Sequence, residues 1–283
     1  MAANVANLSQ QERMQEVLRM LESRDAVHVA ELSKAFAVSE VTVRSDLSEL
    51  ARQGLVARVR GGVRPLQRGQ SELGFDFRLR LEVEKKRAIA KAAAAMVEEG
   101  EAIALDSSTT AYYLALELRT KKELVVVTNG LLIAAALADA PGISVLVTGG
   151  MLRLHAMSLV GGVGADALRA TRISRGFLGA RGLAIDGGLM DLNPDEVQIK
   201  REMANVCERV IGIIDGTKWH RTALLPFVPT GQVDAIVTDT SAPAEEVEAW
   251  RAQDVEVVCV DPAQDAAPAE PPGLRRISAA YAR

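Results

Sequence analysis

Val38-Ser39-Glu40-Val41-Thr42-Val43-Arg44-Ser45-Asp46-Leu47, followed by Gly54-Leu55-Val56-Ala57-Arg58-Val59-Arg60-Gly61-Gly62, is the stretch from which the rest of the chain can be read. Ser39 is a good N-cap, so a helix is expected to begin at Glu40. Val38 ahead of the cap and Val43 at the fourth helical position are spaced as a hydrophobic staple. Val43, Leu47 and Leu50 then recur at helical intervals and predict one buried stripe. That stripe leaves Glu40, Val41, Arg44, Ser45 and Ser48 pointing outward, with Thr42 beside them, where short side chains and one arginine reach base edges in a major groove. Gly54 reads as the C-cap. Arg58 and Arg60, ahead of a Gly-Gly turn, predict a small hairpin whose basic tip lies along phosphates. The whole reads as the head of a winged helix-turn-helix.

What precedes this stretch completes such a module. Ser9-Gln10-Gln11-Glu12 is a capping box, and Met14, Val17, Leu18 and Leu21 line one face of the helix it opens. Val27 to Val29 predicts a short strand, Ala30 to Phe36 a second helix, and Ala37 the turn into Ser39. Helix, strand, helix, turn, helix and hairpin are complete by about residue 64, enough for a small separate core. The chain's net charge of −4 argues against indiscriminate nucleic-acid binding. Locally the balance differs, because residues 44–68 hold six arginines and two acids. A basic patch on an acidic protein suits specific DNA binding with counterion release.

At 283 residues the chain has room for a second, larger domain. No apolar run reaches the length of a membrane span, and the N-terminus lacks a basic region with an apolar core, so a cytoplasmic protein is expected. Cys207 and Cys259 fit a reducing compartment and core packing. His28, His155 and His220 are scattered; neither a metal nor a cofactor is expected. Residues 65–84, with Pro65, Gly69 and Gly74, read as a linker that finishes as a helix, and Lys86–Glu99 as a strong helix. Strand-length runs at 102–105, 124–128, 143–148, 177–178, 210–215, 235–238 and 255–260 alternate with helical stretches such as 110–118, 131–138 and 194–208. That alternation predicts an α/β domain over 85–265 with a mostly parallel sheet, and a loosely ordered tail over 266–283.

Ligands of open α/β sheets bind beyond the carboxyl ends of strands. Asp106-Ser107-Ser108-Thr109-Thr110 follows the first strand and opens a helix, a natural cup for phosphate. Thr128-Asn129-Gly130, Thr148-Gly149-Gly150 and Asp215-Gly216-Thr217-Lys218 end later strands. Lys218, Arg181 and Lys200 are the candidate cations, although Glu196 and Lys200 also read as a simple surface pair one helical turn apart. Gly162-Val163-Gly164-Ala165-Asp166-Ala167 matches a loose dinucleotide fingerprint but follows no convincing strand, and it is set aside.

In order along the chain, these residues resemble the DeoR family of bacterial transcriptional regulators. The resemblance rests on Val38, Ser39, Thr42, Val43 and Arg44 with Asp46-Leu47, and on the wing from Arg58 to Gly62. It continues through Phe75, Arg78, Lys86 and Arg87, then Asp106–Thr110, Thr128-Asn129, Thr148–Gly150, Phe177–Gly179, Glu196 with Lys200-Arg201, and Asp215 with Lys218. The resemblance implies a sensor domain of the ribose-5-phosphate isomerase and CoA-transferase-like fold and a phosphorylated sugar as effector. It further implies a homodimer or homotetramer that represses genes of sugar or polyol catabolism from a double-stranded DNA operator. Two positions depart from the family pattern. Ser45 stands where many members carry a second arginine, and Ser108 where the phosphate loop has glycine, so its Cβ is expected to narrow the cup or demand another backbone angle.

The competing class is a sugar-phosphate isomerase carrying a DNA-binding appendage, which needs a carboxylate base beside a carbonyl. Gly179-Ala180-Arg181-Gly182 offers none, though Asp186 and Asp191 lie nearby. Binding without turnover is the expectation.

Overall fold

The computed structural model describes residues 8–21, 24–52, 55–65 and 74–265. The Gly54 cap, Arg68 and the tail from 266 lie outside the described residues. The chain divides into two compact units, Met1–Val83 and Glu84–Arg283.

In the first unit, α1 (Gln10–Leu21) opens on the expected box, with the Ser9 amide donating to Glu12 at 2.7 Å and the Glu12 amide to Ser9 Oγ at 3.3 Å. β1 (Val27–His28) leads into α2 (Val29–Phe36), which ends at Ala37 in the left-handed region (φ 52°). Ser39 Oγ accepts from the Thr42 amide at 3.1 Å and starts α3 (Glu40–Arg52). Val17, Leu21, Leu32, Phe36, Val43, Leu47 and Leu50 form the core between the three helices. Arg13 and Asp46 add a buried forked ion pair, at 2.7 and 3.2 Å, that fixes α1 against α3. β2 (Val56–Val59) and β3 (Gly62–Pro65) make the wing, and β3 also pairs with β1. A Cβ at Gly62 would lie 2.0 Å from the Val27 carbonyl, so only glycine lets β3 approach β1. α4 (Phe75–Leu79) falls within the stretch expected as linker; Phe77 and Leu81 are buried in this same core, which carries the unit on to Val83.

The second unit begins with α5 (Val83–Ala95), β4 (Ala102–Leu105), α6 (Thr109–Leu118), β5 (Leu124–Thr128), α7 (Leu131–Leu137) and β6 (Ile143–Val147). A hairpin of β7 (Met151–Arg153) and β8 (Ser158–Val160) then precedes α8 (Gly162–Arg169) and β9 (Ile173–Leu178). β10 (Gly182–Ala184), β11 (Gly188–Asp191), α9 (Pro194–Val206), β12 (Cys207–Ile213) and β13 (Leu225–Val228) follow, and β14 (Ala235–Asp239), α10 (Ala244–Arg251) and β15 (Glu256–Val260) close the unit. The main sheet has seven strands in the order β15-β14-β12-β9-β4-β5-β6, every neighbouring pair parallel. Its central strands are apolar on both faces, as a sheet covered by helices on either side requires. From β4 the chain runs outward through β5 and β6, then returns to β4's other side with β9, so the order reverses between β4 and β9.

Several short elements carry no periodic signal: the β7–β8 hairpin and a small antiparallel sheet of β10, β11 and β13, whose strands are three or four residues long. Cys207 packs on Gly176, and burial pushes its thiol up to about 12. Cys259, expected in the core, is instead exposed on β15, where among the described residues no further strand covers it. Gly162 to Ala167 is the start of α8, and a Cβ on Gly164 would come within 2.8 Å of the Gly149 carbonyl; the glycine serves helix-to-loop packing. Among the described residues no helix is long and apolar enough to cross a membrane.

Candidate nucleic-acid interface and effector site

The α3 face exposes Glu40, Val41, Arg44, Ser45 and Ser48 together, while Thr42 is half-buried and engaged with the cap through Ser39 Oγ. The Arg44 guanidinium rests on the Glu40 carboxylate at 2.7 Å, and Ser48 Oγ donates to the Arg44 carbonyl at 2.6 Å. Both Arg44 and Glu40 stay about half exposed, so the pair is weak and free to exchange for another partner. Arg58 and Arg60 are exposed on the wing, with Gly61 (φ 78°) making the turn between the strands. Thus the sequence-predicted reading residues share one helix face, with Thr42 drawn toward the cap.

In the second unit the polar clusters lie along one edge of the sheet, at the carboxyl ends of β6, β5, β4, β9 and β12. The reversal between β4 and β9 holds the densest of them. Asp106 Oδ1 accepts from the Ser108 amide at 3.1 Å and Oδ2 from the Gly179 amide at 3.0 Å, tying the two strand ends together. Lys200, reaching in from α9, places its ammonium 3.0 Å from Asp106, 2.7 Å from Asp191 and 2.9 Å from the Gly179 carbonyl. It also lies 5.0 Å from the Phe227 ring centre, a cation–π contact. Burial alone would raise the Asp191 carboxyl, but Lys200 and then Arg181 outweigh it and hold it down at about 2. Burial likewise opposes the charge on Lys200, yet Asp191 and Asp106 keep it above the usual lysine value.

Around this knot lie the residues expected to form the cup. Ser108 Oγ caps α6 by accepting from the Ala111 amide at 3.1 Å, and Thr109 and Thr110 supply the first helical turn, whose amides have no intrahelical acceptor. Ser108 has φ −74° and ψ 155°, an ordinary extended conformation, so replacing the family's glycine has required no unusual angle. The accommodation is made opposite it: a Cβ on Gly179 would lie 2.5 Å from that of Ser108. Thr128 Oγ1 accepts from the Gly130 amide at 3.0 Å, and the fully buried Asn129 donates through Nδ2 to the Leu159 carbonyl at 3.2 Å while its side-chain Oδ1 has no partner. Gly149 and Gly150 both have positive φ (77° and 113°), and a Cβ on Gly150 would collide with the Val160 carbonyl.

Glu196 and Lys200 are not the surface pair that their spacing suggests. Only 3% and 4% of each is exposed, and they bond to different partners. Glu196 joins Arg153 (2.6 Å), Ser158 Oγ and Ser107 Oγ (3.3 Å), linking the β7–β8 hairpin to the cup. Spacing gave no access to Arg153, Ser158 or Asp191 as partners, because they come from separate short elements. One local signal was present: Val197, Ile199, Met203 and Ala204 bury α9 on several sides, which leaves little surface for a solvated pair. Lys200 is also no spare cation, since three acceptors already surround its ammonium. Two strands away, Asp215 binds the Thr217 amide at 3.0 Å and its hydroxyl. Burial opposes its charge, but Lys218 and the buried Lys86 keep it below the ordinary aspartate value. Arg181 stands 4.0 Å from Asp191.

Residues 13–68 match the DeoR-like helix-turn-helix domain and residues 81–240 the DeoR C terminal sensor domain. The chain belongs to the DeoR family. Relatives of this DeoR-family chain align over most of their length. A protein of Escherichia coli O157:H7 whose name proposes it as the aga operon transcriptional repressor is 33% identical over 251 residues, 88% of this chain and 93% of its own. The HTH-type transcriptional regulator GolR of Listeria innocua is 34% identical, covering 81% and 90% of the two chains. The glycerol-3-phosphate regulon repressor of Escherichia coli K12 is 29% identical, covering 83% and 93%. Ribose 5-phosphate isomerase A of Neisseria gonorrhoeae is a distant structural likeness, with a TM-score of 0.36 and 18% identity over 47% of this chain and 52% of its own, too slight to argue a reaction from. The DeoR-family chain is therefore a DNA-binding transcriptional regulator, pairing a helix-turn-helix head with a sensor domain.

Proposed function

We propose that this regulator is a cytoplasmic repressor of sugar or polyol catabolism genes whose grip on its operator is set by a phosphorylated sugar. The observation that carries the reading is the Asp106–Thr110 cup at the reversal point between β4 and β9, the place where open α/β sheets hold ligands. The relatives named for the glycerol-3-phosphate regulon and the aga operon point to the same class of control. The phosphate is received by the first-turn amides and by the hydroxyls of Ser107, Thr109 and Thr110. Asn129, with its unpartnered side-chain Oδ1, accepts from a sugar hydroxyl. Lys200 shapes the cup by holding Asp106 and Asp191 rather than meeting the ligand.

The reading includes binding without turnover. A general base works best with a pKa near the working pH, and Asp191, held at about 2 and clamped by Lys200, is poorly suited to take a proton. The protein acts as a homodimer or homotetramer, for which Leu146 and Val147 on the edge strand β6 and Met151 on β7 offer exposed apolar surface. An effector that favours one arrangement of paired heads changes operator affinity by linkage, and about 1–3 kcal/mol of coupling is enough for a useful change in occupancy.

The test is a thermal melt of the protein against phosphorylated sugars and polyols, the unphosphorylated compounds and inorganic phosphate. A phosphorylated compound should raise the sensor's melting temperature, its unphosphorylated parent should not, and Thr109→Ala should blunt the rise. No stabilisation by any member would sink the site. Formation of ribulose 5-phosphate from ribose 5-phosphate would sink the claim of binding alone.

A further inference from the structure

We infer that Val41 reads a pyrimidine 5-methyl group in the operator, next to the base contacted by Arg44. The inference rests on α3 being the reading helix, as argued above, and specifies what one of its residues recognises. Among the described residues of the first unit, Val41 is the one large apolar side chain left exposed, at 73%. Folding gives no reason for a valine there. It lies outside the core that Val43, Leu47 and Leu50 build, and a β-branched residue is a poorer helix former than alanine or glutamate at an exposed position.

Its surroundings suit a groove contact. Arg44 and Ser45 follow Val41 by three and four residues, so the three side chains form one row along the exposed face. The Glu40 carboxylate, which alone would repel phosphates, is balanced by the Arg44 charge one helical turn away. Val41 stands at the second position of the helix, in the N-terminal part from which recognition helices contact base edges. Its branched side chain is stiff about χ1, so presenting its methyl groups loses little freedom. In the major groove only thymine, or a methylated cytosine, offers an apolar group; the other base edges are donors and acceptors that a valine would desolvate without replacing their bonds.

The experiment selects duplexes from a random pool with the full-length protein, then replaces each thymine of the selected half-site in turn with deoxyuridine. Affinity is read by fluorescence anisotropy for the wild type and Val41→Ala, whose folding is checked by circular dichroism. At one thymine the wild type should lose about fourfold, the worth of one buried methyl group, while Val41→Ala binds both duplexes equally. Placing 5-methylcytosine rather than cytosine at that position should return a similar gain to the wild type only, which separates the methyl group from the hydrogen-bonding pattern of the A·T pair. Enriched half-sites in which no thymine is sensitive, or a sensitivity that persists in Val41→Ala, would overturn the inference and leave the reading helix standing. A pool with no enrichment at all would overturn the assignment of α3 itself, and the inference with it.

Discussion

The outer face of α3 holds its charges in water, where Arg44 leans on Glu40, whereas α9 buries Glu196 and Lys200 and gives each three partners. The first arrangement stores little energy and leaves the arginine available to another partner. The second takes its charges out of water and must satisfy them internally, because an unmatched buried charge costs far more than an exposed one. If this face is the one proposed to meet the duplex, single substitutions on it should leave stability nearly unchanged and weaken binding. A sensor built around a buried ionic knot should behave the other way round.

The sharpest way to break that contrast is Lys200→Ala. It removes the ammonium that Asp106 and Asp191 share, leaving Arg181 at 4.0 Å from Asp191 as a weaker substitute, and removing one partner of a buried pair costs about 3–5 kcal/mol. Denaturant unfolding of the variant should show the sensor's transition moved to much lower denaturant. A shift no larger than that of an exposed lysine variant would mean the knot is not holding the switch point.

Acid probes the same knot. Asp191 is held at about 2, below its ordinary 3.8, so it binds a proton less readily folded than unfolded. Its contribution is fully present above pH 4 and is lost as the pH falls toward 2, amounting to roughly 2–3 kcal/mol over that span. Sensor stability measured between pH 5 and pH 2 should fall accordingly, and Asp191→Asn should remove that part of the slope. An unchanged slope in the variant would assign the acid sensitivity to other carboxylates.

The same contrast explains what could be read from the chain before its fold was known. The head was legible because its information is local: Ser9-Glu12 and Ser39-Thr42 cap their helices, and Val43, Leu47 and Leu50 keep a clean helical period. The parallel strands were legible as apolar runs, and their ends placed Asp106, Thr128, Gly149 and Asp215 along one edge. The knot itself was not. Lys200 sits one turn from Glu196, a spacing shared with many surface pairs, and the partners that reveal its burial come from β4, β9 and β11. Arg153 and Ser158 lie on strands of three residues, too short to carry a period. The Arg13–Asp46 pair was hidden for the same reason, its two residues being 33 apart.

Ser108 and Gly179 give a milder test of how tightly the sensor is fitted. Gly179→Ala would bring a Cβ within 2.5 Å of Ser108 Cβ, so something must shift, at about 1–3 kcal/mol for overpacking a filled site. The double variant Gly179→Ala with Ser108→Gly should recover most of that loss in a thermal melt, because it moves the extra carbon from one strand end to the other. Equal losses in the single and double variants would show that the two positions do not compensate.

The smallest change in stability belongs to the head. Arg44→Ala removes an exposed side chain whose ion pair with Glu40 is solvent-screened, so the melting temperature should stay within experimental scatter of the wild type. Operator affinity should nonetheless fall by about 1–3 kcal/mol if the guanidinium makes a two-pronged contact to a base edge. It also frees the Glu40 carboxylate beside the duplex, which adds repulsion that Glu40→Gln in the same background would relieve. An anisotropy titration at fixed salt on the specific site and on a scrambled duplex separates the two effects. Loss confined to the specific site marks a base contact, while equal loss on both marks a phosphate contact and would move base reading from Arg44 to its neighbours on the same face.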